Sequence, residues 1–103
     1  MNPSKVSRDS LHALTDLPNV GPAFERDLML LGIQRPQELT GQDPVELYHR
    51  LAELTGVRQD PCVLDVMISL TRFMDGDPPR PWWDYTAERK QMMAAETEAN
   101  PSP

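Results

Sequence analysis

The sequence predicts an all-α domain of about five short helices, and three observations carry that expectation. Apolar residues recur at the i, i+3, i+4, i+7 spacing of one helix face, most fully at Val63, Val66, Met67, Leu70, Phe73 and Met74. Proline and glycine stand where helices start and stop, as in Asp43-Pro44, Gly56, Asp60-Pro61 and Gly76. No stretch alternates apolar with polar residues in the period of two that a half-buried strand needs. At 103 residues the chain has material for one modest core and not for two.

Residues 1–8 read as a flexible N-terminus, 9–93 as the folded domain and 94–103 as a disordered polar tail. Asp9 or Ser10 is placed to cap a first helix over Leu11 to Asp16, with Leu11, Leu14 and Leu17 on one face. Pro22 suits the first turn of the next helix, because its missing N–H has no partner there in any case. Phe24, Leu28 and Leu31 lie along one side of it, and Gly32 stops it. A short turn starts at Pro36 and ends near Gly41. Asp43-Pro44-Val45-Glu46 then reads as an N-cap acid, a proline at N1 and a capping-box glutamate at N3. Leu47, Tyr48, Leu51 and Leu54 line one face of that helix until Gly56. Asp60-Pro61 repeats the start signal for the longest apolar face, with Asp65, Ser69, Arg72 and Asp75 expected opposite it. Asp77 to Asp84, with its three prolines, reads as an extended connector, followed by a last helix from Asp84 to about Met93.

Composition narrows the function classes. The net charge of −6 argues against a broad electrostatic footprint on nucleic acid, so any such contact has to be local. The N-terminal residues lack an apolar signal core, and no apolar run approaches the length of a membrane span. The one cysteine, Cys62, has no internal disulfide partner, in keeping with a cytoplasmic protein. His12, His49 and Cys62 do not show metal-ligand spacing, and there is neither a Gly-rich nucleotide loop nor a nucleophile elbow. The expectation is a protein without catalytic residues, metal or cofactor. A minor alternative makes Cys62, near a helix start, a reactive thiol; a small core residue is the plainer reading.

The stretch Leu17 to Ile33, LPNVGPAFERDLMLLGI, has the layout of a helix-hairpin-helix. That device holds phosphate because its turn presents consecutive backbone N–H groups at a helix N-terminus. Its usual pattern is apolar, Gly, apolar, Gly, then three residues and a small one. Val20 and Gly21 fill the second half, and Asn19 takes the first glycine position, where its tolerance of left-handed backbone helps. Ala23 stands where a lysine or arginine is often found, Glu25 where a small residue is usual, and only Arg26 offsets Glu25 and Asp27. A degenerate second copy, Leu54-Thr-Gly-Val-Arg58, would add Arg58 and Gln59, although Gly56 as a plain helix C-cap explains it locally. The candidate nucleic-acid contacts are therefore Asn19, Val20, Gly21, Ala23, Arg26, Arg58 and Gln59. Trp82 and Trp83 are the candidate partner-docking residues: one is expected over the core and the other exposed.

These runs, with PQELTGQDPVELYHRLAELTG, RQDPCVLDV and GDPPRPWW, resemble the pathogenicity-locus-associated helix-hairpin-helix family, some members of which are labelled mitomycin-resistance proteins. The likeness covers Leu11 to Lys90, and the element order is also similar to the C-terminal domain of TfoX-type competence regulators. The resemblance implies a compact SAM-like bundle containing a helix-hairpin-helix in a bacterial protein. It also implies weak, sequence-independent binding to a DNA backbone in a DNA-related process. The alternative is a protein–protein interaction module on the same scaffold, with no DNA binding of its own.

Overall fold

The proline-led starts are where the helices begin. In the computed structural model, which describes residues 6 and 8–99, α1 covers Pro22–Leu30, α2 Pro44–Thr55 and α3 Pro61–Met74. A fourth helix, α4, covers Thr86–Ala99. Tight 3₁₀ turns at Arg8–Ser10, Leu14–Asp16, Pro36–Leu39 and Trp82–Tyr85 precede and join them. Among the described residues there is no strand, so the class is all-α.

Caps explain the helix ends. The Asp43 carboxylate accepts the Val45 N–H at 2.9 Å, while Glu46, expected to complete a capping box, stays exposed. Gly56 ends α2 in left-handed backbone at φ 67°, donating its N–H to the Ala52 carbonyl at 2.9 Å. A side chain there would cost about 1–2 kcal/mol. Asp60 begins α3 without a side-chain cap.

α3 is the centre of the molecule. It packs on α2, on the turn Pro36–Leu39, on the turn Trp82–Tyr85 and on α4. Val66, Met67, Leu70 and Phe73 are buried as the spacing predicts, and Leu64 and Ile68 join them. The polar side expected to face solvent does so only at its end: Asp75 is exposed and Arg72 half-buried, but Asp65 is 0% exposed and Ser69 2%. α4 covers that side and supplies the partners a buried carboxylate requires. Thr86 Oγ1 donates to Asp65 Oδ2 at 2.6 Å, and Arg89 Nε donates to Oδ1 at 2.8 Å. Arg72 pairs with Glu88 of α4 beside this lock.

Two other expectations are corrected. Leu11 to Asp16 is not an α-helix. Pro18 forces Leu17 into extended backbone at ψ 154°, and the Asp16 carboxylate reaches back to the N–H groups of His12 and Ala13 at 2.9 and 2.8 Å. That closes a single 3₁₀ turn. At the other end, α4 starts after a 3₁₀ turn and continues to Ala99, so 94–99 of the expected tail are helical. Residues 1–5, 7 and 100–103 of the expected flexible ends lie outside the described residues. Arg8, counted with the flexible N-terminus, is instead tied to the end of α3. Its guanidinium donates to the carbonyls of Phe73 at 2.5 Å and Asp77 at 2.7 Å and lies 4.2 Å from the Phe73 ring centroid.

Glu38 repeats the Asp16 device, accepting the N–H groups of Gln34 and Arg35 at 2.5 and 2.7 Å. The Ala13 and then the His12 N–H hold the Asp16 carboxyl below its ordinary 3.8. The Gln34 and then the Arg35 N–H hold Glu38 below 4.5. A depressed folded pKa gives stability that is present above the unfolded value and lost as pH falls through the folded one. The double variant Asp16→Asn, Glu38→Gln is therefore expected to show a shallower acid limb below pH 4.5 in urea unfolding at stepped pH. An unchanged limb would mean that these turns do not contribute.

Candidate nucleic-acid interface

The segment between the Leu14–Asp16 turn and α1 is anchored from beneath. Leu17 is 0% exposed and Val20 2%, and between them Asn19 adopts left-handed backbone at φ 66°. Its side chain does more than tolerate that conformation. Nδ2 donates to Ser69 Oγ at 3.2 Å and to the Arg80 carbonyl at 2.8 Å. Ser69 in turn donates to the Val66 carbonyl at 2.7 Å. Asn19 thus joins the turn to the middle of α3 and to the Pro-rich connector. Those partners are 50 and 61 residues away, beyond the reach of any local pattern.

Asn19→Gly keeps the left-handed backbone and removes both ties; Asn19→Ala removes the ties and adds strain. The glycine variant is expected to lose about 1 kcal/mol and the alanine variant about 1–2 kcal/mol more. Equal losses in chemical denaturation would show that backbone strain is absent at this position.

Gly21 is extended, at φ −99° and ψ −177°, a conformation open to any residue. No atom lies within 4 Å of where its Cβ would sit. Its smallness is therefore not demanded by backbone shape or packing, and it leaves the approach to α1 open. α1 has no side-chain cap, and Gly21, Pro22 and Ala23 are exposed. The first-turn N–H groups of a helix have no intrahelical acceptor. The α1 end can accordingly receive an acceptor or anion from outside.

The expected cations are less well arranged. Arg26 is exposed one turn along α1, between half-buried Glu25 and Asp27, and makes no ion pair among the described residues. Arg58 is exposed in the loop between α2 and α3, and no hydrogen bond or ion pair of its side chain joins it to the Asn19–Gly21 turn. Gln59 is committed internally. Its Nε2 donates to Thr55 Oγ1 at 3.1 Å and to the Val57 carbonyl at 3.2 Å, and its carbonyl accepts the Tyr48 hydroxyl at 2.8 Å. Gly56 is the C-cap of α2, which accounts for the second hairpin-like stretch. The structure does bring the backbone of Arg80 beside the turn, its carbonyl accepting from Asn19, while the Arg80 charge acts on Tyr85. The Arg80 side chain is exposed and makes no ion pair among the described residues. Nothing in the sequence around Arg80 marked it.

The tryptophans divide as expected, although they sit in a 3₁₀ turn and not in an extended run. Trp82 packs against the core, and Trp83 is 61% exposed. Their rings meet edge to face, 5.6 Å between centroids at 82°. Behind them Tyr85 is buried, and burial pushes its hydroxyl pKa above 10.0, partly opposed by the Arg80 charge. Elsewhere, His49 Nε2 lies 2.8 Å from Glu96 Oε1 at the rim of a shallow crevice between α2, α3 and α4. Cys62 is a half-buried free thiol in the first turn of α3. Among the described residues no group of three or more His, Cys, Asp or Glu is placed to hold a metal ion, and no helix is long and apolar enough to cross a membrane.

Comparison with known proteins agrees with the sequence likeness. Residues 7–91 match the family described as pathogenicity locus. The mitomycin resistance protein McrB of Streptomyces lavendulae is 46% identical over 83 residues, covering 81% of this chain and 79% of the relative. No solved structure matches the chain significantly. With both comparisons covering most of its length, the chain belongs to the pathogenicity locus family.

Proposed function

We propose that the chain is a small helix-hairpin-helix module that acts by binding, not catalysis, and holds a nucleic-acid backbone without sequence preference. The observation that supports this most is the left-handed Asn19 turn, which leads through exposed Gly21 into an uncapped α1. Backbone N–H groups and the helix dipole there favour a phosphate oxygen. Asn19 and Val20 hold the turn from within; Gly21 and Ala23 face the ligand, with Arg26 and Arg80 as flanking charges. The test is anisotropy of a labelled duplex at rising protein concentration and stepped salt. Binding in the range of about 10⁻⁴ to 10⁻⁶ M, weakening steeply with salt, is expected. No binding at low salt and millimolar protein would end this reading.

By analogy with the mitomycin resistance protein of S. lavendulae, the binding serves mitomycin resistance in a bacterial cytoplasm. Its check is survival of a sensitive bacterium expressing the chain, with a Gly21→Glu variant as control. A second reading, a protein-interaction module, is favoured by one specific observation: exposed Met29, Leu30, Leu54, Val57 and Trp83 on a chain with an excess of acidic groups. Capture of a partner that survives Gly21→Glu but is lost on Trp83→Ala would favour it.

A further inference from the structure

The Asn19–Arg80 bond makes one surface from two distant segments. On one side is the turn before α1; on the other, the connector carries Arg80 and, three residues on, Trp83. Trp83 is braced edge-on by Trp82, which packs on the core, so its indole is exposed yet held on a firm base. Arg80 is exposed without an ion-pair partner among the described residues, although Asp77 and Asp84 are close in sequence. Every nucleobase has a face that stacks on an aromatic ring, and stacking is open only where bases are unpaired. A braced, exposed indole three residues along the chain from an exposed guanidinium without an ion pair suits a flexible chain that alternates flat rings with single negative charges. Duplex ends aside, paired bases do not offer their faces.

We propose that Trp83 and Arg80 form a contact for single-stranded nucleic acid, with a base stacked on the Trp83 indole and a neighbouring phosphate on the Arg80 guanidinium. This rests on the reading of the adjacent turn as a backbone grip, and it adds a preference for unpaired strands that the turn alone does not supply.

The experiment titrates the full chain with a twelve-nucleotide oligothymidylate and, separately, with a duplex of the same length, following anisotropy and tryptophan fluorescence. The expected result is tighter binding of the single strand with quenching of tryptophan emission. Trp83→Ala is expected to weaken single-strand binding by about fivefold to a hundredfold and to leave duplex binding unchanged. Arg80→Gln is expected to reduce the log–log salt slope for the single strand by about 0.7. Both side chains are exposed, so neither variant threatens folding; circular dichroism confirms it. Duplex binding without single-strand preference, or a preference that survives Trp83→Ala, overturns this proposal and leaves the backbone grip standing. Single-strand binding lost on Trp83→Ala, with no duplex binding at all, supports the Trp83 contact and removes the grip. Absence of both, with Trp83 covered by a protein partner instead, overturns both.

Discussion

Asp65→Ala is expected to cost about 3 kcal/mol or more of folding stability, because it removes one member of a buried pair and strands the other. The Asp65 carboxylate is wholly buried, while the Arg89 side chain is 16% exposed. After the substitution the mostly buried guanidinium would lose its carboxylate partner, and the Thr86 hydroxyl would lose its acceptor. Both losses fall at the start of α4, a helix with a weakly apolar inner face that relies on these polar ties to α3. Beyond the global loss, α4 amides are therefore expected to lose hydrogen-exchange protection before those of α2 and α3. Replacing both partners, Asp65→Leu with Arg89→Met, is expected to recover much of the loss, since a well-packed apolar pair avoids burying charge. Urea unfolding of the single and double variants measures this. A single-variant loss under about 1 kcal/mol, the ordinary range for surface changes, would mean that the lock does not hold α4.

Phe73→Ala is expected to be comparably severe. Phe73 is among the largest fully buried side chains and lies in the last turn of α3, the helix against which most of the other elements pack. Truncating a buried phenylalanine typically costs about 3–5 kcal/mol through lost transfer energy and the cavity left behind. Here the ring also carries the Arg8 guanidinium 4.2 Å from its centroid, worth about 0.5–1 kcal/mol at a partly exposed site. For a domain whose total stability is about 5–15 kcal/mol, this leaves little margin, and the melting temperature is expected to fall by about 15 °C or more. Phe73→Leu, which refills most of the volume, is expected to lose well under half as much. A fall under about 5 °C for the alanine variant would show that the α3 end is looser than its burial indicates.

The contrast between these residues shows what local sequence can convey. Phe73 is legible, because its place follows from periodicity along one helix and from the Gly76 stop. Asp65 is not. A carboxylate at that spacing reads as solvent-facing unless it is known that α4 returns to cover it, and its partners lie 21 and 24 residues downstream. The helix starts at Pro44 and Pro61 are legible because proline acts on its own neighbours. At Leu11 to Asp16 it is the leucine spacing that misleads, outweighed by the equally local effect of Pro18 on Leu17.

In the candidate site the same boundary applies. The left-handed turn at Asn19 follows from the chemistry of that residue, as does the division of labour between Trp82 and Trp83. The second half of each role depends on tertiary contacts: the Asn19 tie to Ser69 and Arg80, and the internal use of the Gln59 amide. Arg58, expected from an apparent repeat, sits after a helix C-cap. Arg80, hidden among prolines, stands beside the turn. The acidic balance of the chain remains, so the proposed contact is a local one, made with backbone groups and one or two arginines.

The most direct measurement of that claim is a backbone-amide NMR titration of the full chain with a short duplex at low salt. The expected result is a cluster of shifted amides over Val20, Gly21, Ala23 and Phe24, reversed by added salt and abolished by Gly21→Glu. Shifts confined to other surfaces, or none at millimolar duplex, would contradict a phosphate grip at the start of α1.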